Sequence, residues 1–181
     1  MSDKAIIFNT RVRGFTLIEA ISVMVVIGLL SVMVVPQVVG ALQSFRLNAA
    51  VGKVLSDIRY ARELALSRHA TYGIEVSAAE NSYSIFSISG GVKTVLSDPM
   101  TQKTMTIDFD LLTQYSGVTI GSVDFCDGVG CPSVDLRFDS FGVPYDSSGA
   151  AMASSATMAL SAGGTTRTIT IYQQTAFSEA V

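Results

Sequence analysis

The apolar residues of this chain fall unevenly. From Ala20 to Phe45 it runs 26 residues without a charge, and over residues 20–35, AISVMVVIGLLSVMVV, only Ser22, Gly28 and Ser31 interrupt the bulky apolar side chains. The 25 residues from Phe15 to Val39 extend about 37 Å at about 1.5 Å per helical residue, enough to cross a hydrocarbon core of about 30 Å with some tilt. A cleaved secretory signal is the alternative reading. Its apolar core is usually about 7 to 15 residues, shorter than this run, and no small-x-small site follows cleanly here. The pattern therefore predicts a membrane-spanning helix.

Beyond that segment, Leu47, Val51, Val54, Ile58, Ala61 and Ala65 recur at spacings of 4, 3, 4, 3 and 4, while Arg46, Lys53, Asp57, Arg59, Arg62, Glu63 and Arg68 fall off the stripe. This is one face of an amphipathic helix, and its small final residues suit close packing against a sheet. After Thr71 the period drops to 2. Met105, Ile107, Phe109 and Leu111 alternate with Thr106, Asp108 and Asp110, and Val134, Leu136 and Phe138 alternate with Asp135 and Arg137, each reading as a strand with one buried face. Further strands are predicted over 73–76, 82–89, 92–96, 118–125, 157–160 and 166–173. Turn residues separate them at Glu80-Asn81, Gly90-Gly91, Asp98-Pro99, 128–132, 146–149 and Gly163-Gly164. A helix followed by strands on short loops predicts an α+β fold, with a long N-terminal helix packed on a mainly antiparallel, β-rich head.

Composition narrows the function. Of the 181 residues, 49% are hydrophobic and 15% charged, which excludes an intrinsically disordered chain. The net charge of −3 gives no sign of the basic balance of a nucleic-acid binder. With two cysteines and one histidine, no all-Cys/His zinc site can be completed, since that takes four ligands.

Charge also orients the apolar segment. Residues 1–14 carry Lys4, Arg11 and Arg13 against Asp3, and the next cation downstream is Arg46, so the positive-inside rule places residues 1–14 in the cytoplasm and the head across the membrane. Two residues do not suit a plain anchor. Glu19 lies inside the apolar stretch, where a carboxylate costs about 2.5–3.5 kcal/mol at the helix centre and less near its edge. It either reaches the headgroups or pairs with a buried positive group. Pro36 removes one backbone hydrogen bond and predicts a helix break, with a loosened turn near Ser31 to Val35.

The run Arg13-Gly14-Phe15-Thr16-Leu17-Ile18-Glu19 closely resembles the class III signal of type IV prepilins and pseudopilins. That resemblance implies cleavage by a prepilin peptidase between Gly14 and Phe15 and N-methylation of the new Phe15 amine. It also implies a filament-assembly role for Glu19, whose carboxylate would neutralise the Phe15 amine of a neighbouring subunit. The stretch LSDIRYARELALSRHATYGIEV (Leu55 to Val76), the Asn-x-Tyr step at Asn81 to Tyr83 and DLRFDSFGVP (Asp135 to Pro144) resemble the GspH/FimT-like branch of minor pseudopilins and minor pilins. The implied organisation is a removed cytoplasmic leader (1–14), a transmembrane and assembly helix (15–39), its amphipathic continuation (40–70) and a periplasmic head (71–181). The implied function is that of a minor structural subunit, without cofactor or catalysis, of a type II secretion pseudopilus or a type IV pilus. Its partners would be other pilins, the prepilin peptidase, membrane lipid and an inner-membrane assembly platform with its ATPase. The location would be the bacterial inner membrane, single-pass, with the filament periplasmic or extracellular.

The remaining candidates are weaker. Cys126 and Cys131 in FCDGVGC, with glycines between them, are expected to form a disulfide in an oxidising compartment, with two reduced cysteines as the alternative and metal binding behind both. Asp108, Asp110, Asp124, Asp127, Asp135, Asp139 and Asp146 could be read as a calcium site, but they lack EF-hand spacing, and isolated aspartates beside turns are commonplace, so no metal is assigned. His69 ends the helix with no nucleophile motif, and the glycine pairs read as hairpin turns. A DNA- or surface-binding tip pilin of the FimT type is the alternative function. From residue 75 onward four cations face eleven acids, net −7, against +3 over residues 46–68, and only Arg167 near Gly163-Gly164 suggests a distal basic contact.

Overall fold

In the computed structural model, residues 14–126, 134–149, 152, 155–172 and 178–180 are described. One helix, α1, spans Leu17–Arg68, and two compact units divide the chain at Val39 and Gly40. The helix is assigned without interruption through Pro36, so the expected break does not occur. Proline forfeits one N–H···O=C bond, but its φ is already helical, and the bonds on either side carry the helix past it.

In the second unit the predicted stripe is the inner face of the helix. Leu47, Val51, Val54, Ile58, Ala61 and Ala65 are all buried, joined by Ala50. Among the described residues ten strands follow: β1 (Thr71–Ser77), β2 (Ser82–Ser89), β3 (Val92–Val95), β4 (Thr106–Asp108), β5 (Thr119–Asp124), β6 (Asp135–Phe138), β7 (Pro144–Tyr145), β8 (Ser155–Ala162), β9 (Thr165–Tyr172) and β10 (Ser178–Ala180). They form two sheets, β3-β2-β1-β6-β7 with β4 also paired to β2, and β10-β9-β8-β5. Every pairing is antiparallel. The chain is α+β, a long N-terminal helix on antiparallel sheets, as the change of period from 3.6 to 2 predicts.

Two hairpins close through two-residue loops, Gly90-Gly91 and Gly163-Gly164, with φ of 58° and 80° in the first and 57° and 80° in the second. Positive φ at both central positions matches the right-handed twist of the strands and favours glycine. Gly73 is required for a different reason. A Cβ there would overlap the Leu136 carbonyl oxygen and the Phe86 ring. Its absence lets Phe86, fully buried, lie across β1 beneath the Lys93 ammonium, 4.4 Å from the ring centroid.

One strand is shorter than its alternation predicts. Phe109 is buried but Leu111 is 80% exposed, because β4 stops at Asp108. The Asp108 carboxylate accepts the N–H groups of Asp110 (2.8 Å) and Leu111 (3.2 Å). Such a local side-chain bond takes donors that a ladder would otherwise use.

Three polar side chains tie the layers together. Asp57 of α1, nearly fully buried, accepts hydrogen bonds from the Tyr83 hydroxyl of β2 (2.8 Å) and Lys53 (2.6 Å). Burial first, and the Asp57 charge second, pushes the Tyr83 phenol well above its ordinary value, so it remains a donor. Asn81, in the β1–β2 turn with φ of 48°, donates to Asp110 Oδ1 (2.8 Å) and the Val118 carbonyl (2.9 Å) and accepts from Ile120 N–H (2.8 Å). One residue thus joins the first sheet to the leading strand of the second. Beneath it, Tyr83, Phe109 and Tyr115 stack edge to face, with centroids 5.8 and 5.4 Å apart.

Candidate functional site

The first unit carries the segment that resembles a prepilin signal. Helix α1 begins just after Thr16, whose Oγ1 accepts the Glu19 N–H at 3.3 Å, while its carbonyl accepts the N–H groups of Glu19 and Ala20 at 3.1 and 3.2 Å. Thr16 is therefore the N-cap, and the Thr-x-x-Glu spacing of residues 16–19 has the form of a capping box. Sequence reasoning missed this role, although the signal is the same four residues that carry the motif. Glu19 sits in the first helical turn, where the positive end of the helix dipole favours a carboxylate. Gly14 and Phe15 lie just outside the helix and are exposed, so the peptide bond between them is on accessible chain.

From Leu17 to Phe45 the only charged side chain is Glu19. The most apolar 18-residue window has a mean hydropathy of 2.6, and none of it is buried by the rest of the chain. Phe15 is 77%, Met24 73% and Val32 75% exposed. Interrupting hydroxyls are satisfied within the helix: Ser22 Oγ donates to the Glu19 carbonyl and Ser31 Oγ to the Ile27 carbonyl, both at 2.8 Å. That leaves their donors satisfied in an apolar surrounding. Apolar surface on this scale, with one carboxylate at its start, is stable only when lipid or other helices cover it.

The head's candidate residues have structural work. Asp139 Oδ1 accepts N–H from Phe141 and Val143, both at 2.8 Å, and Asp146 Oδ1 accepts from Ser148 N (2.9 Å) and Oγ (2.6 Å). Asp124 accepts from Cys126 N at 3.1 Å. Asp135 pairs with Lys93 and Arg137, each at 3.1 Å, and Lys93 also meets Glu75 at 2.7 Å. With Asp108 and Asp110 in the bonds given above, six of the seven aspartates are thus placed, dispersed over strands and turns. Asp127 lies outside the described residues. Cys126 is disulfide-bonded; Cys131, the chain's other cysteine, lies outside the described residues. His69 is exposed with φ of 49°, the left-handed conformation that ends a helix one residue past Arg68. The Asp135–Pro144 stretch docks on α1, where Arg62 Nε donates to the Gly142 carbonyl at 3.2 Å.

Residues 9–35 match the family described as the prokaryotic N-terminal methylation motif. The fold is that of the minor pseudopilin EpsH from the type 2 secretion system of Vibrio cholerae, with a TM-score of 0.53 and 10% identity over 75% of this chain and 96% of that one. It is also similar to the type IV minor pilin FimU of Pseudomonas aeruginosa, with a TM-score of 0.50 and 16% identity over 75% of this chain and 87% of that one. The fold is pilin-like. No curated protein matches its sequence.

In this pilin-like fold Arg167 is not where a distal basic contact needs it. The Gly163-Gly164 turn lies against the side chain of Gln43, near the start of the head's portion of α1, whereas β1 begins at the opposite end, after His69. Two of the head's other cations, Lys93 and Arg137, are paired with carboxylates.

Proposed function

We propose that the chain is a minor structural subunit of a type IV filament machine, a pseudopilin or minor pilin. It is held in the bacterial inner membrane by residues 15–39 with its N-terminus cytoplasmic and its head periplasmic, then drawn into a filament in which those helices pack together. The observation that carries this reading is the uncovered apolar helix opened by Thr16 and Glu19, directly behind Gly14-Phe15. A head that buries its own core needs no such surface; a filament of packed helices, and the membrane before it, do.

Cleavage between Gly14 and Phe15 by a prepilin peptidase would create an amine on Phe15 one helical turn from Glu19, and methylation would leave it charged. An ammonium and a carboxylate left apart in hydrocarbon are each costly, and bringing them together between neighbouring subunits recovers part of that cost while setting the axial register. This is registry chemistry and needs no catalytic group in the chain. Work for extraction from the membrane comes from the assembly platform and its ATPase. Mass spectrometry of the mature N-terminal peptide tests the processing step: a chain beginning at methylated Phe15 is expected, and an intact leader would contradict it.

A further inference from the structure

We propose that the Asp146 carboxylate shields the disulfide of Cys126 from thiol exchange, which makes the bond a lasting clasp of the head and not a redox switch. This rests on the reading that Cys131, the chain's only other cysteine, is the partner of Cys126. Cys126 lies just after β5 and Asp146 just after β7, so segments distant in sequence bring the two groups together. Asp146 Oδ2 is 3.5 Å from Cys126 Sγ, and both residues are buried, at 6% and 9% exposure. The other carboxylate oxygen is held by Ser148, whose N–H and Oγ donate to it at 2.9 and 2.6 Å. A second carboxylate, that of Asp124, accepts the Cys126 N–H at 3.1 Å. Residues 104–136 and 138–166 contain seven aspartates and no lysine, arginine or histidine. Arg137, between these stretches, is paired with Asp135.

The chemistry follows from where charge develops. A thiolate attacks one sulfur of the disulfide, the S–S bond breaks, a mixed disulfide forms, and the other sulfur leaves as a thiolate. A second thiolate from the reductant then resolves the mixed disulfide, so both electrons come from the reductant, which ends as its own disulfide. Attack at Cys131 would send the negative charge to Cys126 Sγ, against the Asp146 carboxylate in a buried setting. Attack at Cys126 would bring the incoming thiolate up to the same carboxylate, at a sulfur with little exposed surface. Each route places two negative charges close together where water screens them poorly. A neutral side chain at 146 should therefore speed exchange by about tenfold.

The test follows reduction of the full-length chain in a non-ionic detergent, with free thiols counted by maleimide alkylation and mass spectrometry. Two reductants are compared at equal thiolate concentration, the cationic 2-aminoethanethiol and the anionic 2-mercaptoethanesulfonate. The wild-type chain is expected to take up no label before reductant is added, and then to react about tenfold faster with the cationic thiol. Asp146→Asn should raise the rate with the anionic thiol about tenfold and bring the two rates closer together. Ser148→Ala, which removes one hydrogen bond to Asp146 but keeps its charge, should stay within about twofold of the wild type. Equal rates with the two thiols in the wild type would overturn the shielding. So would an Asp146→Asn variant that leaves both rates unchanged or raises both equally, or a Ser148→Ala variant as fast as Asp146→Asn, since these report loosening of the loop and not loss of charge. Labelling of the wild type before reduction, or a chain-to-chain crosslink on a non-reducing gel, would overturn the Cys126–Cys131 reading itself.

Discussion

Replacing Asn81 by alanine tests how the head is held together. The side chain makes three hydrogen bonds, to Asp110 Oδ1, to the Val118 carbonyl and from Ile120 N–H, and the residue is only 8% exposed. The Asn81→Ala variant leaves the Val118 carbonyl and the Ile120 N–H buried without these partners, at about 1–3 kcal/mol each. Holding alanine at φ of 48° adds about 1 kcal/mol. The total is about 3–7 kcal/mol, which at about 2–4 °C per kcal/mol for a chain of this size lowers the melting temperature by at least about 6 °C. Near-ultraviolet circular dichroism of the detergent-solubilised chain reads the transition, since the tyrosines around Phe109 report the junction. Asn81→Gly should recover about 1 kcal/mol of the loss, because glycine adopts positive φ freely. Asn81→Asp should not recover it, since its second oxygen would face the Asp110 carboxylate and the Val118 carbonyl. A loss below about 1 kcal/mol in Asn81→Ala, less than the penalty of a single orphaned buried group, would refute the reasoning.

Tyr83→Phe removes one of the hydrogen bonds to the buried Asp57 carboxylate and should cost about 1.5–3 kcal/mol by thermal melting. Gly73→Ala forces its new methyl group against the Leu136 carbonyl and the Phe86 ring; destabilisation of about 1–3 kcal/mol is expected, and a second change, Phe86→Leu, should not restore stability, because the closer contact is with backbone. Phe141→Ser, at a position 80% exposed, should leave the melting temperature within about 2 °C, as surface changes usually do. If the disulfide of Cys126 closes the short loop to Cys131, reduction should cost about 2 kcal/mol, read as a shift between reduced and oxidised melts.

Much of the fold was legible because periodicity reports burial directly. The spacing from Leu47 to Ala65 names the helix face that the sheets cover, and the glycine pairs at 90-91 and 163-164 name two hairpins, since few other residues tolerate positive φ twice in succession. The strand through Leu111 was misread because alternation counts apolar residues but not the Asp108 carboxylate that takes the next two donors. At Pro36 a local defect was over-weighted against the cooperativity of a long helix. The strands Pro144–Tyr145 and Ser178–Ala180 carry too few residues to show a period. In the processing segment, the apolar run and Glu19 stood out at once, whereas the cap formed by Thr16 was hidden inside the motif. The placement of the Gly163-Gly164 turn against Gln43 depends on which way β8 and β9 run relative to α1, and no local pattern encodes that.

The claim that Glu19 drives assembly is tested most directly by one comparison in the native host. Sheared filament and membrane fractions are probed for this chain in cells expressing the wild-type protein or Glu19→Ala. The account predicts that both are processed to Phe15 and found in the membrane, and that only the wild-type chain enters the filament fraction. Glu19→Ala at wild-type abundance in filaments would contradict it.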